Sequence, residues 1–255
     1  MRRVWPLLAG LVLLVVAVPL LAPYAPDAID LANRRQGPSL AHWFGTDDLG
    51  RDVFSRVLFG GRVSIAIGLL SALVAAVVGV GVGALAGYAG GWTDAVLMRV
   101  TDAVLSIPRL LLLMVAAATL QPGVPALVLL VGAVGWMETA RVTRTAVKAQ
   151  AAREFVIASL AAGAGHLRIV WRHLLANAAG AIRTAAVIAV GRAILVESAL
   201  SFFGVGVQPP DATWGSMLYQ AQATMSTEPW LALFPGACIV LTVGTLNALS
   251  DRTGV

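Results

Sequence analysis

Charged residues are scarce in this sequence. Only 12% of its 255 residues are Asp, Glu, Lys or Arg, whereas 58% are hydrophobic and the mean hydropathy is +0.84. A soluble globular chain carries about 25% charged residues. A chain with roughly half that share cannot cover a water-facing surface, so we expect lipid to be the solvent for much of it.

Residues that bind metals or carry out catalysis are also few. A single cysteine, Cys238, excludes an intrachain disulfide, and the three histidines are too scattered to suggest a metal site. The sequence has no Gly-x-Ser-x-Gly, His-Glu-x-x-His or Walker-type phosphate loop. We therefore expect neither enzymatic activity nor a bound cofactor in this chain itself.

Long charge-free runs organise the chain. The runs 4–26, 63–93, 110–137 and 231–250 contain no charged residue. A membrane span needs about 18 such residues, whereas apolar runs of about 10–14 are typical of soluble core helices. A fifth segment, Ala178–Gly206, is apolar but contains three charged side chains, those of Arg183, Arg192 and Glu197.

A tight turn at 121–125 divides the third run into two spans. A cleaved signal peptide is the alternative for the first run, but Pro19 and Pro23 stand where small residues are needed. Residues 1–62 are expected to form an N-terminal transmembrane helix with an extracytoplasmic loop, and 63–255 a core of five helices. We predict an all-α polytopic bundle of about six transmembrane helices, at 4–22, 63–89, 103–121, 124–147, 180–204 and 231–250.

Basic residues predict the orientation. The loop 141–173 is rich in basic residues and has one acid, Glu154. Because basic loops of membrane proteins tend to lie on the cytoplasmic side, we expect this loop and both termini in the cytoplasm. Five Arg in 23–62 argue the other way, but five Asp in the same loop neutralise them. The net charge of +5 is not taken as a sign of nucleic-acid binding, because the basic residues flank apolar runs. We therefore expect no nucleic-acid partner. The bases of the cytoplasmic loop are Arg141, Arg144, Lys148, Arg153, Arg168 and Arg172.

A charged side chain within a transmembrane helix is energetically costly, and it usually faces an oppositely charged group or a water-filled cavity. Arg192 and Glu197 lie five residues apart, which is about 140° around a helix, so a same-face ion pair is not expected. We favour pairing with another helix or subunit over lining of a translocation path. Asp94, Asp102 and Glu138 lie near predicted cytoplasmic ends, where solvation or helix capping is expected.

The cytoplasmic loop predicts two short helices. Gly163 and Gly165 allow a sharp turn after a first helix with Phe155 and Ala158 on one side. A basic amphipathic helix follows, with Leu167, Val170, Trp171 and Leu174 on one side. The residues alone favour an interfacial helix lying on anionic lipid over a helix–turn–helix presented to a soluble partner.

The segment 205–230 follows the fifth span. Its Pro209-Pro210 pair stops the helix, and its aromatic residues suit a membrane-interface belt. The alternative is an outer gate that contacts substrate or a binding partner, formed by Gln208, Asp211 and Trp214.

The cytoplasmic loop is similar to the EAA signature of permease subunits in binding-protein-dependent ABC importers. Ala158 matches its first alanine and Gly163 its glycine, whereas Ile157 replaces the acid and Ser159 the second alanine. Longer stretches resemble the C-type subunit of the dipeptide/oligopeptide/nickel branch of that family. They are Gly45–Arg56, Gly61–Ser64, Gly90–Asp94, Glu197–Pro210, Trp214–Met217 and Pro229–Gly236.

The resemblance implies a type I ABC importer permease fold in the bacterial inner membrane. It implies a homologous B-type permease, two cytoplasmic ATP-binding subunits that hold ATP and magnesium, and an extracytoplasmic substrate-binding protein. The expected function is import of dipeptides or oligopeptides, with ATP hydrolysis by the partners coupled to alternating access. Nickel or another metal chelate is the alternative cargo, and a secondary carrier without ATPase partners is an alternative of a different class.

The resemblance also implies a coupling loop at about 148–177 that docks on an ATPase. Because Ile157 stands where the signature has an acid, we expect either an apolar contact there or compensation by Glu154, one turn earlier, and favour the second. The expected docking residues are Phe155, Val156, Ala158, Ser159, Gly163 and Leu167.

Overall fold

A computed structural model describes residues 19–253, and this part of the chain is helical, with no β-strand. A short 3₁₀ turn at Leu31–Asn33 precedes the α-helices. The sixth helix contains a π-helical turn at Val170–Leu174. The helices are α1 Val53–Ala89, α2 Gly91–Leu105, α3 Arg109–Leu120, α4 Val124–Ala151, α5 Glu154–Ala161, α6 His166–Phe202, α7 Trp214–Ala221 and α8 Trp230–Thr253.

Four helices of the described part, α1, α4, α6 and α8, are long and apolar enough to cross a membrane. The pair α2 and α3 passes the same test together, although the two helices are bent by 75°. The all-α bundle is therefore confirmed, with four or five candidate spans between residues 19 and 253. The predicted span 4–22 lies almost wholly outside the described residues.

Three predicted spans differ most from the structure. α6 begins at His166 instead of residue 180. α1 begins at Val53 instead of residue 63, because the carboxylate of Asp52 caps it by accepting from Ser55 N at 2.8 Å. The predicted span 103–121 is broken at Pro108, which has no N–H and disfavours helix in the residue before it. α2 and α3 are the two pieces.

Small residues bring α1 and α4 into close contact. A Cβ added at Gly79 would lie 2.6 Å from Trp136 O, and one added at Gly87 would lie 2.7 Å from Arg144 O. Gly83, between them, faces Ala140 O in the same way. These glycines are four residues apart and share one face of α1. The glycines therefore mark the line along which α1 and α4 approach each other closely.

The loop before α1 is held by its own charged residues. The Asp47 carboxylate pairs with Arg51 at 2.7 Å and with Arg56 at 3.6 Å, so acids neutralise bases as expected. The Phe44 ring stacks on Phe234 of α8, with ring centroids 3.7 Å apart. The loop therefore packs over the α7 end of the bundle, while α5 lies at the opposite end.

The glycine contact gives a stability prediction. Gly83→Ala inserts a methyl group against α4, and overpacking of this kind costs about 1–3 kcal/mol. We expect a lower thermal midpoint for the purified protein in lipid nanodiscs. Gly81→Ala is the matched control, because a Cβ there meets nothing within 4 Å. Equal effects of the two changes would contradict the close α1–α4 contact.

Candidate functional site

The segment from α5 to the start of α6 forms a helix–turn–helix. Gly163, at φ +80°, makes the turn, and its N–H donates to Leu160 O at 2.9 Å. Ala164 N donates to Ser159 O at 3.0 Å and closes the turn. Gly165 has an ordinary φ of −65°, so the sharp turn depends on Gly163 alone, contrary to the prediction for both glycines.

Buried apolar side chains fix this hairpin to the bundle. Val156 of α5 packs with residues of α1, α4 and α6, and it is 2% exposed. A hydrogen bond of 2.5 Å joins the Tyr88 hydroxyl at the end of α1 to His166 Nδ1 at the start of α6. A displacement of the hairpin would therefore be transmitted to three long helices, α1, α4 and α6. The buried cluster consists of Ala84, Val147, Val156, Ile169, Leu174 and Ala178.

The outer surface of the hairpin is apolar. Ile157 is 63% exposed, Leu167 75% and Trp171 68%. Leu160 lies one turn from Ile157 and is also exposed. The same segment also carries exposed basic side chains, at Arg153, Arg168 and Arg172. We call the exposed surface of Ile157, Leu160, Leu167 and Trp171 the hairpin face.

The predicted docking residues separate into two groups. Glu154, Ile157, Ala158, Gly163 and Leu167 are exposed and available for contact. Phe155 and Ser159 are half-buried, and the Ser159 hydroxyl donates to Phe155 O at 2.7 Å. Val156 lies in the core, so its side chain has almost no exposed surface for docking, and its part in the ATPase contact stays a prediction.

The predicted apolar side of Leu167, Val170, Trp171 and Leu174 is also wrong. Leu174 is buried and Val170 half-buried, whereas Leu167 and Trp171 are exposed. The π-helical turn at Val170–Leu174 changes the residue spacing and separates the set. The segment is the beginning of the long helix α6, not a separate helix that lies on the membrane. Sequence reasoning missed Leu160, although its spacing from Ile157 is helical.

Glu197 lies in the interior of the α7 end and has no exposed surface. Ser64 of α1 donates to its Oε2 at 3.2 Å, and Ser201 donates to its Oε1 at 2.8 Å. Each serine oxygen in turn accepts a backbone N–H, from Trp214 and from Val207. The carboxylate therefore joins α1, α6 and the start of α7, and it makes no ion pair with Arg192.

Arg192 instead pairs with Glu138 of α4, as expected for a charge that faces another helix. The prediction that Glu138 is solvated or caps a helix is incomplete, because its side chain is 45% exposed but also makes this ion pair. The prediction is wrong for Asp94, which is 5% exposed and accepts from Arg144 Nη2 at 2.6 Å. Asp102 remains half-exposed in a pair with Arg141.

The predicted outer-gate residues have different environments. Trp214 is 4% exposed, and its indole Nε1 donates to Val57 O at 3.0 Å, so it is not an anchor in a membrane interface. Gln208 is exposed, and its side-chain amide donates to Gly204 O at 3.0 Å. Asp211 is exposed. A gating role for these three residues stays a prediction.

Comparison with known proteins agrees with this architecture. A chain of the MetNI methionine ABC transporter, in an inward-facing conformation, aligns with a TM-score of 0.65 and 18% identity. The alignment covers 77% of this chain and 94% of the other. This similarity defines the class of the fold, which is that of a type I ABC importer permease.

Sequence comparison defines the family. Residues 79–253 match the family described as the binding-protein-dependent transport system inner membrane component. A peptide permease protein of Brucella suis is 39% identical over 96% of this chain and 82% of its own length. The dipeptide permease DppC of Bacillus subtilis is 38% identical over 94% of this chain and 76% of its own length. The chain belongs to this family of inner-membrane transport components.

The turn at Gly163 gives a local prediction. An L-residue pays about 1–2 kcal/mol for the left-handed conformation, so Gly163→Ala should loosen the hairpin. We expect the amides of α5 to exchange hydrogen about 5- to 30-fold faster, as measured by mass spectrometry. Gly165→Ala is the matched control, because its φ suits alanine and a Cβ there meets nothing within 4 Å. Unchanged exchange in Gly163→Ala would contradict this account of the turn.

The Glu197 network gives a double-mutant prediction. Glu197→Ala leaves two buried serine hydroxyls without their acceptor and should destabilise the protein by about 1–3 kcal/mol. On the Glu197→Ala background, Ser64→Ala should destabilise the protein less than it does in the wild-type protein. The coupling free energy between the two substitutions, measured by thermal unfolding, should be about 0.5 kcal/mol or more. The exposed Ser106 supplies the control Ser106→Ala, which should be additive with Glu197→Ala. Additivity with Ser64→Ala would contradict the network.

Proposed function

We propose that this chain is the C-type permease subunit of an ATP-driven importer of dipeptides or oligopeptides. Relatives that carry peptide and dipeptide permease names match nearly the whole chain at 38–39% identity, and this similarity is the observation that carries the proposal. Its partners are a homologous B-type permease, two ATP-binding subunits and an extracytoplasmic binding protein. ATP and magnesium bind to the partner subunits.

The orientation belongs to the same proposal. The α5 end, with its exposed arginines, faces the cytoplasm together with both termini, and the α7 end faces the binding protein. The hairpin face supports an ATPase contact, because a group of exposed apolar side chains is typical of a protein interface.

The coupling mechanism follows from how the hairpin is held. The buried Val156 and the Tyr88–His166 hydrogen bond join it to α1, α4 and α6. A displacement of the hairpin by the ATPase therefore moves these helices together, which shifts the balance between inward-facing and outward-facing states. Each ligand can shift this balance only by its preference for one state.

No observation favours the alternatives. The described residues contain no group of three or more His, Cys, Asp or Glu side chains able to hold a metal ion, so metal-chelate import gains no support from this chain. A secondary carrier would need no binding protein, whereas the family functions in binding-protein-dependent systems.

Uptake by the assembled transporter tests the function. Proteoliposomes that contain both permeases and both ATPases should take up a labelled dipeptide only when ATP and the binding protein are present. Ile157→Ser on the hairpin face should lower uptake, whereas Ile29→Ser, at a similarly exposed isoleucine before α1, should not. Uptake of a nickel chelate without peptide uptake, or peptide uptake without the ATPases, would contradict the proposal.

Glu154 gives a separate prediction about the coupling contact. If its carboxylate compensates for Ile157 by meeting a basic group on the ATPase, Glu154→Lys should abolish most of the transport-coupled ATPase activity. Asp27→Lys, at an exposed acid near the opposite end, is the matched charge control. Intact coupled activity in Glu154→Lys would leave the apolar contact of Ile157 as the explanation.

A further inference from the structure

Three charged side chains meet in a cleft between α1, α3, α4 and α6. Arg109, Glu138 and Arg192 line it together with Ser71 and Gly135. The enclosed space amounts to about 10 Å³, which is room for about one water molecule. A carboxylate can therefore reach the charged side chains only from the open mouth of the cleft.

The cleft lies near the middle of the bundle. Glu138 is the fifteenth of the 28 residues of α4, counted from Val124. At about 1.5 Å per residue, it is roughly 20 Å from either end of that helix. Ser71 occupies a corresponding position, halfway along α1. The charges therefore lie midway along two of the long helices that form the cleft.

The cluster has one positive charge in excess. Arg192 is neutralised by Glu138, but none of the described acidic residues pairs with Arg109. Arg109 Nε is buried and has no hydrogen-bond partner among the described residues. A buried N–H without an acceptor is costly, because burial removes its water. Arg109 as a whole is half-buried, and its unpaired positive charge suits an anion.

Local structure directs Arg109 into the cleft. It is the first residue of α3, immediately after the 75° bend at Pro108. Gly135 provides the space, because an added Cβ there would lie 3.3 Å from Arg109 Nη2. The side chains of Arg192 and Glu138 are 48% and 45% exposed, so the cleft opens on the surface of the chain. Charges at this depth face a polar path rather than lipid.

We propose that Arg109, supported by the Arg192–Glu138 pair, binds the terminal carboxylate of a peptide as it crosses the bilayer. This inference rests on the proposed function, and it adds a substrate subsite to it. A guanidinium is suited to this role, because its planar N–H groups match the two oxygens of a carboxylate. The recognised group is common to all peptides with a free C-terminus, so the site accepts different side chains.

The competing occupant is an acidic side chain of the partner permease. It would satisfy the same guanidinium permanently and would serve assembly instead of transport. The two occupants differ in one measurable respect, because only a substrate site responds to removal of the substrate's carboxylate.

The test compares a labelled dipeptide with its C-terminal amide in the reconstituted transporter. Because the binding protein is the same throughout, its own preference cancels when the acid-to-amide uptake ratio of each variant is divided by the wild-type ratio. We expect Arg109→Gln to lower this ratio about tenfold, and Arg109→Lys to lower it less. Arg99→Gln, at an exposed arginine of α2, is the matched control and should leave it unchanged.

Two outcomes would overturn the subsite. An unchanged ratio in Arg109→Gln, with both uptakes reduced equally, would assign Arg109 a structural role. Loss of co-purification of the two permeases in Arg109→Gln would assign it to a contact with the partner's acid. Wild-type uptake is measured first, and if neither peptide form enters, the proposed function fails and the subsite fails with it.

Discussion

The close contact between α1 and α4 is the constraint on which the rest of the structure depends. In lipid there is no hydrophobic drive between helices, so association relies on close packing and interhelical hydrogen bonds. Gly79, Gly83 and Gly87 allow this approach along the half of α1 that leads to Tyr88. Because α4 continues through the next turn into α5, the contact also fixes where the hairpin lies.

Polar groups within this apolar bundle are mostly satisfied in pairs or networks. Glu197 accepts from two serines, and Asp94 is held by Arg144, so each carboxylate joins separate segments of the chain. Such groups favour one arrangement of helices, because any other leaves a buried polar atom without a partner. Arg109 Nε is among the few buried polar atoms of the described residues without a partner, and it is the one that lies in the charged cleft of the proposed subsite.

Sequence reasoning predicted the helical bundle, because long apolar runs admit few other folds. It failed at Arg56 and Pro108. Arg56 and Arg62 interrupt the apolar pattern, so the predicted span began only at residue 63. The pattern could not show that Arg56 is neutralised by Asp47 of the preceding loop. The bend at Pro108 lies between two apolar stretches that together resemble one span. The hydropathy of single residues does not show which other parts of the chain a helix will pack against.

The candidate site was predicted in part. Gly163 indicated the turn, and helical spacing indicated α5, but which side faces the bundle depends on packing against α1 and α4. Val156 and Ile157 are adjacent and similar in chemistry, yet one is buried and the other exposed. Trp214 likewise lies in the core because Ser64 and Val57, distant in sequence, bind its backbone and indole N–H groups.

Cysteine crosslinking tests the central claim most directly, because Cys238 is the only cysteine in the sequence and can be replaced first. In a Cys238→Ala background, Ile157→Cys should crosslink to an ATP-binding subunit of the assembled transporter, and Asp211→Cys at the opposite end should not. A crosslink to that subunit from Asp211→Cys, with none from Ile157→Cys, would contradict the account.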